Sequence, residues 1–259
     1  MHMWYSLSMI TPKAALFDLD DTLAESFKSP TRTVIAKLEK ILSIVPVAIL
    51  TGAGFQRIQD DTLSQFDDVS NFSRFYILPN SAAQAYSYRE DDWVEEYSFK
   101  ITPSEREQIL NAIESSIEET QVLKNLKPKG QQFFDRDVQI AYAFLGDGAS
   151  AEEKAMWDPL GEKRGNLKMV LEEKLPDFEI LVGGTTTIDI TKKGINKAYG
   201  VRWLSKQLSI PCQDMLYVGD ALFTGGNDEV VIETGARTIQ VSGPDETLPI
   251  LDEILKSLG

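Results

Sequence analysis

The sequence predicts an α/β fold, a parallel sheet with helices on both faces, that is interrupted by an inserted α+β unit. Three observations lead to this prediction. Short apolar segments at residues 14–17, 45–50, 75–78 and 215–218 each end in polar or turn residues, as buried parallel strands do. Helical segments alternate with these strands. The alternation is broken between residues 84 and 190 by a different pattern of strands and helices.

The first and last parts of the chain are predicted to form one parallel sheet. Ser29-Pro30-Thr31 signals the start of a helix after the first strand, and Pro79-Asn80 ends the third strand. After the interruption the alternation resumes with a helix at 196–208, the strand 215–218, a helix near 227–234, a strand at 238–241 and a last helix to 258.

The stretch between the first and last parts of the chain is predicted to form a separate α+β unit. Residues 84–99 alternate around Asp91-Asp92 like a hairpin, and Thr102 with Glu105 forms a capping box that opens a helix to about residue 119. A β-rich stretch at 131–145, a mostly helical one at 151–175 and two strands in 178–190 follow. The predicted domains are 1–86 and 192–259 for the core and 87–191 for the insertion, with crossings near Tyr86–Tyr88 and Thr191–Gly194.

Composition excludes several classes of function. The net charge of −14 over 259 residues argues against a nucleic-acid or anionic-membrane partner. The single histidine, His2, excludes serine–histidine triads and histidine-ligated zinc, and the single Cys212 excludes a disulfide framework. Residues 1–10 lack the pattern of a signal peptide and no apolar run is long enough to span a membrane, so we expect a cytoplasmic protein.

Carboxylates follow the first strand directly. Side chains two apart on an extended chain point the same way, so Asp18 and Asp20 would repel each other unless a cation lay between them. This favours a Mg²⁺ site for phosphoryl transfer, although an acidic turn that caps the next helix is the alternative. Thr51 and Asp220, with Asp228, also follow apolar strands. Because open parallel sheets place their sites at these ends, the recurrence strengthens the functional interpretation.

These residues together resemble the four motifs of the haloacid dehalogenase superfamily, with Lys197 in Lys193-Gly194-Ile195-Asn196-Lys197 as the third-motif lysine. Considered alone, Lys197 would be a solvated surface residue. The segment from Gly219-Asp220 to Gly225-Gly226-Asn227-Asp228 is similar to that of the eukaryotic-type phosphomannomutase family, as is Gly183-Gly184-Thr185-Thr186-Thr187-Ile188-Asp189. The resemblance implies a Rossmann-like core with a parallel sheet and an inserted α+β cap domain.

The resemblance also implies roles for the residues. Asp18 is the nucleophile that becomes an aspartyl phosphate, and Asp20 is the acid and base. Mg²⁺ is bound by Asp18, the backbone carbonyl of Asp20 and Asp220, while Thr51 contacts a phosphoryl oxygen and Lys197 neutralises its charge. Asn227 and Asp228 lie behind these groups, with Asp228 orienting Lys197. The expected substrate contacts are Gly52, Arg136, Lys154, Thr187 and Asp189.

Departures from the family decide between two activities. The arginine expected after the first motif is absent at Phe27-Lys28, a cap arginine is replaced by Asp147, which we expect to face the cap pocket, and another is replaced by Lys154. A mutase must hold two phosphates, and aspartate repels a phosphate. We therefore predict hydrolysis of a phosphorylated sugar, with phosphomannomutase action as the alternative and a non-catalytic phosphosugar-binding protein as a third class. The mutases pair through their caps, so a homodimer is also expected from the resemblance.

Overall fold

The computed structural model describes residues 11–259, and Met1 to Ile10, including His2 and the segment tested for a signal peptide, lie outside the described residues. The strands are β1 (Ala14–Phe17), β2 (Val47–Leu50), β3 (Phe75–Leu78), β4 (Gln84–Arg89), β5 (Asp92–Ser98), β6 (Phe133–Asp135), β7 (Ile140–Ala143), β8 (Phe178–Gly183), β9 (Thr187–Lys192), β10 (Met215–Gly219) and β11 (Arg237–Gln240). The α-helices are α1 (Arg32–Leu42), α2 (Phe55–Asp61), α3 (Pro103–Thr120), α4 (Ala151–Trp157), α5 (Glu162–Lys174), α6 (Lys197–Leu208), α7 (Glu229–Ile232) and α8 (Pro244–Leu258).

A seven-stranded sheet in the order β11-β10-β1-β2-β3-β4-β5 forms the core. Its first five strands run parallel, and all four residues of β1 are buried because helices cover both faces. Helices α1 and α8 pack together on one face, while α6 covers the other with Val201 and Leu204. The predicted α/β core is therefore confirmed, and the carboxyl ends of β1, β2 and β10 lie side by side.

The hairpin at residues 84–99 belongs to this core sheet and not to the inserted unit. Tyr76 of β3 pairs antiparallel with Ser87 of β4, and β4 pairs with β5. Tyr86 stacks on Phe55 of α2 at 3.9 Å between ring centroids, so the aromatic side chains of the hairpin are part of the core. Strand alternation predicted the hairpin, but it carries no information on the sheet that the hairpin joins. The crossing expected near Tyr86–Tyr88 thus lies within the sheet.

A second, antiparallel sheet in the order β6-β7-β9-β8 is packed against α3 and α5. Leu167 and Leu171 of α5 and Ile109 of α3 are buried against Ile180 and Ile190 of the sheet. The chain enters this unit after β5, at residues 99–102, and leaves it after β9, at residues 193–196. It is the α+β unit that the sequence predicts, which we call the cap. The exact domain boundaries stay a prediction.

Within residues 11–259, no helix combines the length and the apolar character needed to cross a lipid bilayer.

Candidate active site

A buried lysine joins two of the predicted carboxylates at the carboxyl ends of β1 and β10. Asn196 caps the start of α6 by accepting a hydrogen bond from the Tyr199 amide, which places Lys197 at the first position of the helix. The Lys197 ammonium, 1% exposed, donates to Asp18 Oδ1 and to Asp228 Oδ1, each at 2.6 Å. A buried ammonium needs such partners, so Lys197 is a structural and electrostatic centre of the site and not a solvated lysine.

Asp228 is fixed from three sides. Its Oδ1 also accepts a hydrogen bond from the Tyr217 hydroxyl at 2.6 Å, and its Oδ2 accepts one from the Ala221 amide at 3.1 Å. Gly219 allows this approach, because a Cβ there would lie 2.3 Å from Asp228 Oδ2. Tyr217 is a contact that the sequence analysis did not identify, since an apolar strand position predicts only a buried ring. Burial raises the pKa of Tyr217 well above its usual value, so its hydroxyl stays a donor.

The site holds more negative charge than Lys197 balances. Carboxylate oxygens of Asp18, Asp220 and Asp228 lie within 4.8 Å of one another. Burial, together with Asp228, raises the pKa of Asp220 to about 6. Burial also raises the pKa of Asp18, against the opposing effect of Lys197. A set of oxygen ligands with excess negative charge fits a hard divalent cation such as Mg²⁺. The Thr22 hydroxyl lies 3.4 Å from Asp220 Oδ1 and helps to orient that carboxylate.

Thr51 and Gly52 follow β2 beside an unusual turn. The Thr51 hydroxyl accepts a hydrogen bond from the Ala53 amide at 3.1 Å, and the Ser81 amide donates to the Thr51 carbonyl at 2.8 Å. Asn80, Ser81 and Ala82 all have left-handed backbones, with φ of 52°, 57° and 64°. Consecutive non-glycine residues rarely adopt this conformation, and such strain concentrates at functional sites. Pro79-Asn80 predicted the end of β3, but no sequence signal indicated three consecutive left-handed residues, because none of them is glycine.

The cap contacts the core next to Gly52. The Arg136 guanidinium donates to the Gly52 carbonyl at 2.5 Å and to Gln139 Oε1 at 2.8 Å, and Gln139 donates to the Ser81 hydroxyl at 3.1 Å. Asp189 of β9 lies over the same loop, with its Oδ2 3.2 Å from the position of a Cβ on Gly52. Arg136, Asp189 and Gly52, predicted separately from the resemblance, therefore meet at the boundary between cap and core.

Other predicted cap residues have different surroundings. Thr187 is the first residue of β9, paired with Ala143 and Gly183 at one end of the second sheet. Lys154 of α4 has its ammonium 5.3 Å from the centre of the Phe27 ring, so it reaches the loop after the first motif. Asp147 is exposed, and its carboxylate accepts a hydrogen bond from the Gln131 amide at 2.9 Å. That contact orders a turn of the cap.

Asp20 has a partner that the sequence analysis did not identify. Arg57 of α2 donates to both carboxylate oxygens of Asp20, at 2.6 and 2.8 Å, and the Phe27 amide donates to Asp20 Oδ1 at 2.9 Å. Asp20 and Arg57 are 37 residues apart, so only the folded chain brings them together. Asn227 precedes Asp228 in the turn that leads to α7 and is partly buried.

Comparisons with known proteins identify the family of the chain. The model of the eukaryotic phosphomannomutase family matches residues 34–257. The chain belongs to this family. It is 23% identical over 252 residues to a phosphomannomutase of Spinacia oleracea, covering 93% of this chain and 94% of the relative. It is 24% identical over 255 residues to one of Encephalitozoon cuniculi, with 94% of each covered.

Solved structures show the same fold at low identity. The IMP-nucleotidase of Plasmodium falciparum superposes with a TM-score of 0.71 at 19% identity, over 95% of this chain and 67% of the other. The C-terminal domain of the trehalose-6-phosphate phosphatase of C. albicans has a TM-score of 0.65 at 14% identity, and the match covers 96% of this chain and 94% of the other. The solved structures confirm the predicted fold class. The family model and the curated relatives confirm the predicted superfamily and identify the chain as an enzyme of the haloacid dehalogenase phosphotransferase type.

Proposed function

We propose that this enzyme hydrolyses a phosphorylated sugar through an aspartyl phosphate on Asp18. The observation that carries the proposal is the arrangement of Asp18 and Lys197: a buried carboxylate, at the end of a parallel strand, hydrogen-bonded to a buried ammonium at 2.6 Å. An ammonium in this position favours negative charge on a transferring phosphoryl group.

Each step has a residue to perform it. Asp18 attacks phosphorus, the bond from phosphorus to the sugar oxygen breaks, and Asp20 supplies the proton that the sugar oxygen takes. Asp20 then accepts a proton from water as the water attacks the phosphoaspartate, which releases inorganic phosphate and restores Asp18. Thr51 and Lys197 hold phosphoryl oxygens during both steps. Asp18, the Asp20 carbonyl and Asp220 would hold Mg²⁺, which when bound neutralises phosphoryl charge.

Hydrolysis is favoured over mutase action by the charges on the cap. A mutase needs the cap to bind the second phosphate of a sugar bisphosphate. Arg136 already donates to Gly52 and Gln139, and at position 147 an aspartate stands where the resemblance expects an arginine. Lys154 remains, and a single lysine is a weaker ligand for a phosphate dianion than paired arginines. The mutase alternative is supported by the curated relatives, which are phosphomannomutases matched along almost the whole chain.

A panel of phosphorylated sugars distinguishes the two activities. We expect purified enzyme with Mg²⁺ to release inorganic phosphate faster than it forms isomerised sugar, and to lose activity with a chelator. The decisive arm supplies mannose 1-phosphate with a catalytic amount of hexose 1,6-bisphosphate. Interconversion of mannose 1-phosphate and mannose 6-phosphate that is much faster than hydrolysis would overturn the hydrolase proposal and establish the mutase.

A pair of variants at one position tests the charge argument. Asp147→Arg adds a cation to the cap, and we expect it to tighten binding of the sugar bisphosphate by roughly ten-fold or more, since a charge-assisted hydrogen bond contributes about 1.5–3 kcal/mol. Asp147→Asn removes the negative charge only and should have a smaller effect. Equal affinities for the bisphosphate in the wild type and both variants, measured by calorimetry, would show that position 147 does not face the bound ligand.

A further inference from the structure

Both oxygens of the Asp20 carboxylate accept hydrogen bonds from Arg57. Arg57 donates to Oδ2 through NH1 and to Oδ1 through NH2, and the Phe27 amide is a second donor to Oδ1. The guanidinium is held in turn by Asp61, one turn further along α2, with 3.4 Å between Arg57 Nε and Asp61 Oδ2. A two-point pair of this kind fixes both the position and the rotation of the carboxylate.

Phe27 connects this pair to the cap. Its backbone has a φ of 62°, which is uncommon for a bulky residue, and its side chain is 73% exposed although it is a large aromatic ring. The Arg57 guanidinium lies 5.2 Å from the ring centre and the ammonium of Lys154, from helix α4 of the cap, lies 5.3 Å from it. Two cations, one from helix α2 of the core and one from helix α4 of the cap, thus contact one ring.

We infer that Arg57 is a positioning residue that holds Asp20 away from proton transfer until a sugar phosphate binds under the cap. This inference rests on the proposed function. Proton transfer to a leaving oxygen requires a carboxyl oxygen within about 2.6–3.2 Å of it. The contacts with Arg57 fix the rotation of the Asp20 carboxylate, so at least one of them must be exchanged before Asp20 can turn toward a leaving oxygen.

The bound substrate supplies the group for that exchange. A phosphorylated sugar carries phosphate oxygens, which a guanidinium binds as well as it binds a carboxylate, and hydroxyl oxygens, which accept its hydrogen bonds more weakly. When such an oxygen takes the place of Asp20 on Arg57, Asp20 is free to turn toward the sugar oxygen bonded to phosphorus. Arg57 thereby makes proton transfer by Asp20 depend on the presence of the sugar. A small acyl phosphate or a water molecule carries no sugar and does not release Asp20 from Arg57.

The experiment compares two phosphoryl donors with different leaving groups. One is the sugar phosphate that the wild type turns over fastest, and the other is acetyl phosphate, whose leaving group needs no proton and carries no sugar. For Arg57→Gln we expect the ratio of kcat/KM for the sugar phosphate to that for acetyl phosphate to fall at least ten-fold, because the variant loses both the group that orients Asp20 and the group that contacts the sugar. Arg57→Lys should recover part of this ratio. Phe27→Leu should lower the ratio less than Arg57→Gln does, because the backbone amide at position 27 still contacts Asp20.

Arg202→Gln is the matched control, because Arg202 pairs with Glu233 on the outside of α6. Thermal melting checks that each variant is folded, and Phe27→Leu tests the inference if Arg57→Gln does not fold. An equal loss of kcat/KM with both donors in Arg57→Gln, or no loss with either donor, would overturn the positioning role of Arg57. If the wild type isomerises the sugar phosphate without hydrolysing it, the hydrolase proposal fails. The role of Arg57 is then tested with kcat/KM for isomerisation in place of kcat/KM for hydrolysis. If the wild type acts on acetyl phosphate alone, both proposals fail.

Discussion

Asp18 and Asp20 are two residues apart and differ in almost every contact. Asp18 is buried against Lys197, whereas Asp20 is partly exposed and paired with Arg57. We expect Asp18→Asn to abolish turnover of every substrate because it removes the nucleophile. Asp20→Asn should lower turnover of a sugar phosphate by roughly 10²–10⁴-fold, the usual contribution of a general acid or base. Phosphate release measures both effects, and intact-protein mass after acetyl phosphate treatment should still show a phosphorylated Asp20→Asn variant. Wild-type turnover by Asp18→Asn would exclude the covalent mechanism.

Asp189 makes the stability of the protein depend on pH. Burial raises its pKa to about 6 from 3.8, although Arg136 and Lys197 oppose the shift. The folded chain therefore binds this proton more tightly than the unfolded chain, so the stabilisation is complete below pH 3.8 and is lost as pH rises through about 6. We expect Asp189→Asn to raise the free energy of unfolding at pH 7.5 by about 2–3 kcal/mol, with little change at pH 4.

Urea unfolding at the two pH values measures this difference. Asp158→Asn is the opposite control, because hydrogen bonds from Arg164 outweigh burial and lower the pKa of Asp158. That variant should lose stability at pH 7.5. If Asp189→Asn raised the free energy of unfolding equally at both pH values, the effect would come from packing and not from ionisation of Asp189.

At the scale of elements, helix α6 is held against the sheet at Gly200, one turn after Lys197. A Cβ at Gly200 would lie 2.8 Å from Ala82 Cβ and from Leu78 Cδ2. Gly200→Ala should therefore push the helix outward, destabilise the protein by about 1–3 kcal/mol and displace Lys197 from Asp18. Gly165→Ala in α5 is the matched control, because no atom lies within 4 Å of its Cβ position, and it should stabilise by about 0.5–1 kcal/mol. Denaturant unfolding and phosphatase assays check both, and equal stability of the two variants would contradict the close packing of α6.

Local sequence patterns predicted most of the helices and strands, because burial and polarity leave a pattern within a short segment. An apolar strand ending in Asp18, Thr51 or Asp220 is visible in the sequence because burial and polarity change within a few residues. The pairs Asp20 with Arg57 and Tyr217 with Asp228 were not predicted, because each joins segments whose approach depends on sheet order. The hairpin at 84–99 was assigned to the wrong unit for the same reason, since alternation fixes a strand and not its neighbour.

At the scale of the whole molecule, polar side chains of the cap contact loops of the core. Arg136 and Gln139 reach the core loops at Gly52 and Ser81, and Lys154 reaches Phe27. Within residues 11–259, the chain crosses between the two units at residues 99–102 and 193–196, so these connections can act as hinges. Two connections allow rigid-body opening of the cap. A substrate needs this opening to enter, and closure shields an aspartyl phosphate from water.

Small-angle scattering tests this closure. With Mg²⁺ and orthovanadate, a phosphate analogue, we expect the wild type to become more compact than without ligand. Arg136→Ala removes the hydrogen bond to the Gly52 carbonyl and should leave the free enzyme more open. Arg106→Ala is the matched control, because Arg106 pairs with Asp135 and Asp137, which both lie inside the cap. Identical scattering curves for the wild type with and without saturating analogue would exclude a closing cap. A wider free form in Arg136→Ala, absent in Arg106→Ala, would identify the Gly52 loop as the contact that couples phosphate binding to closure.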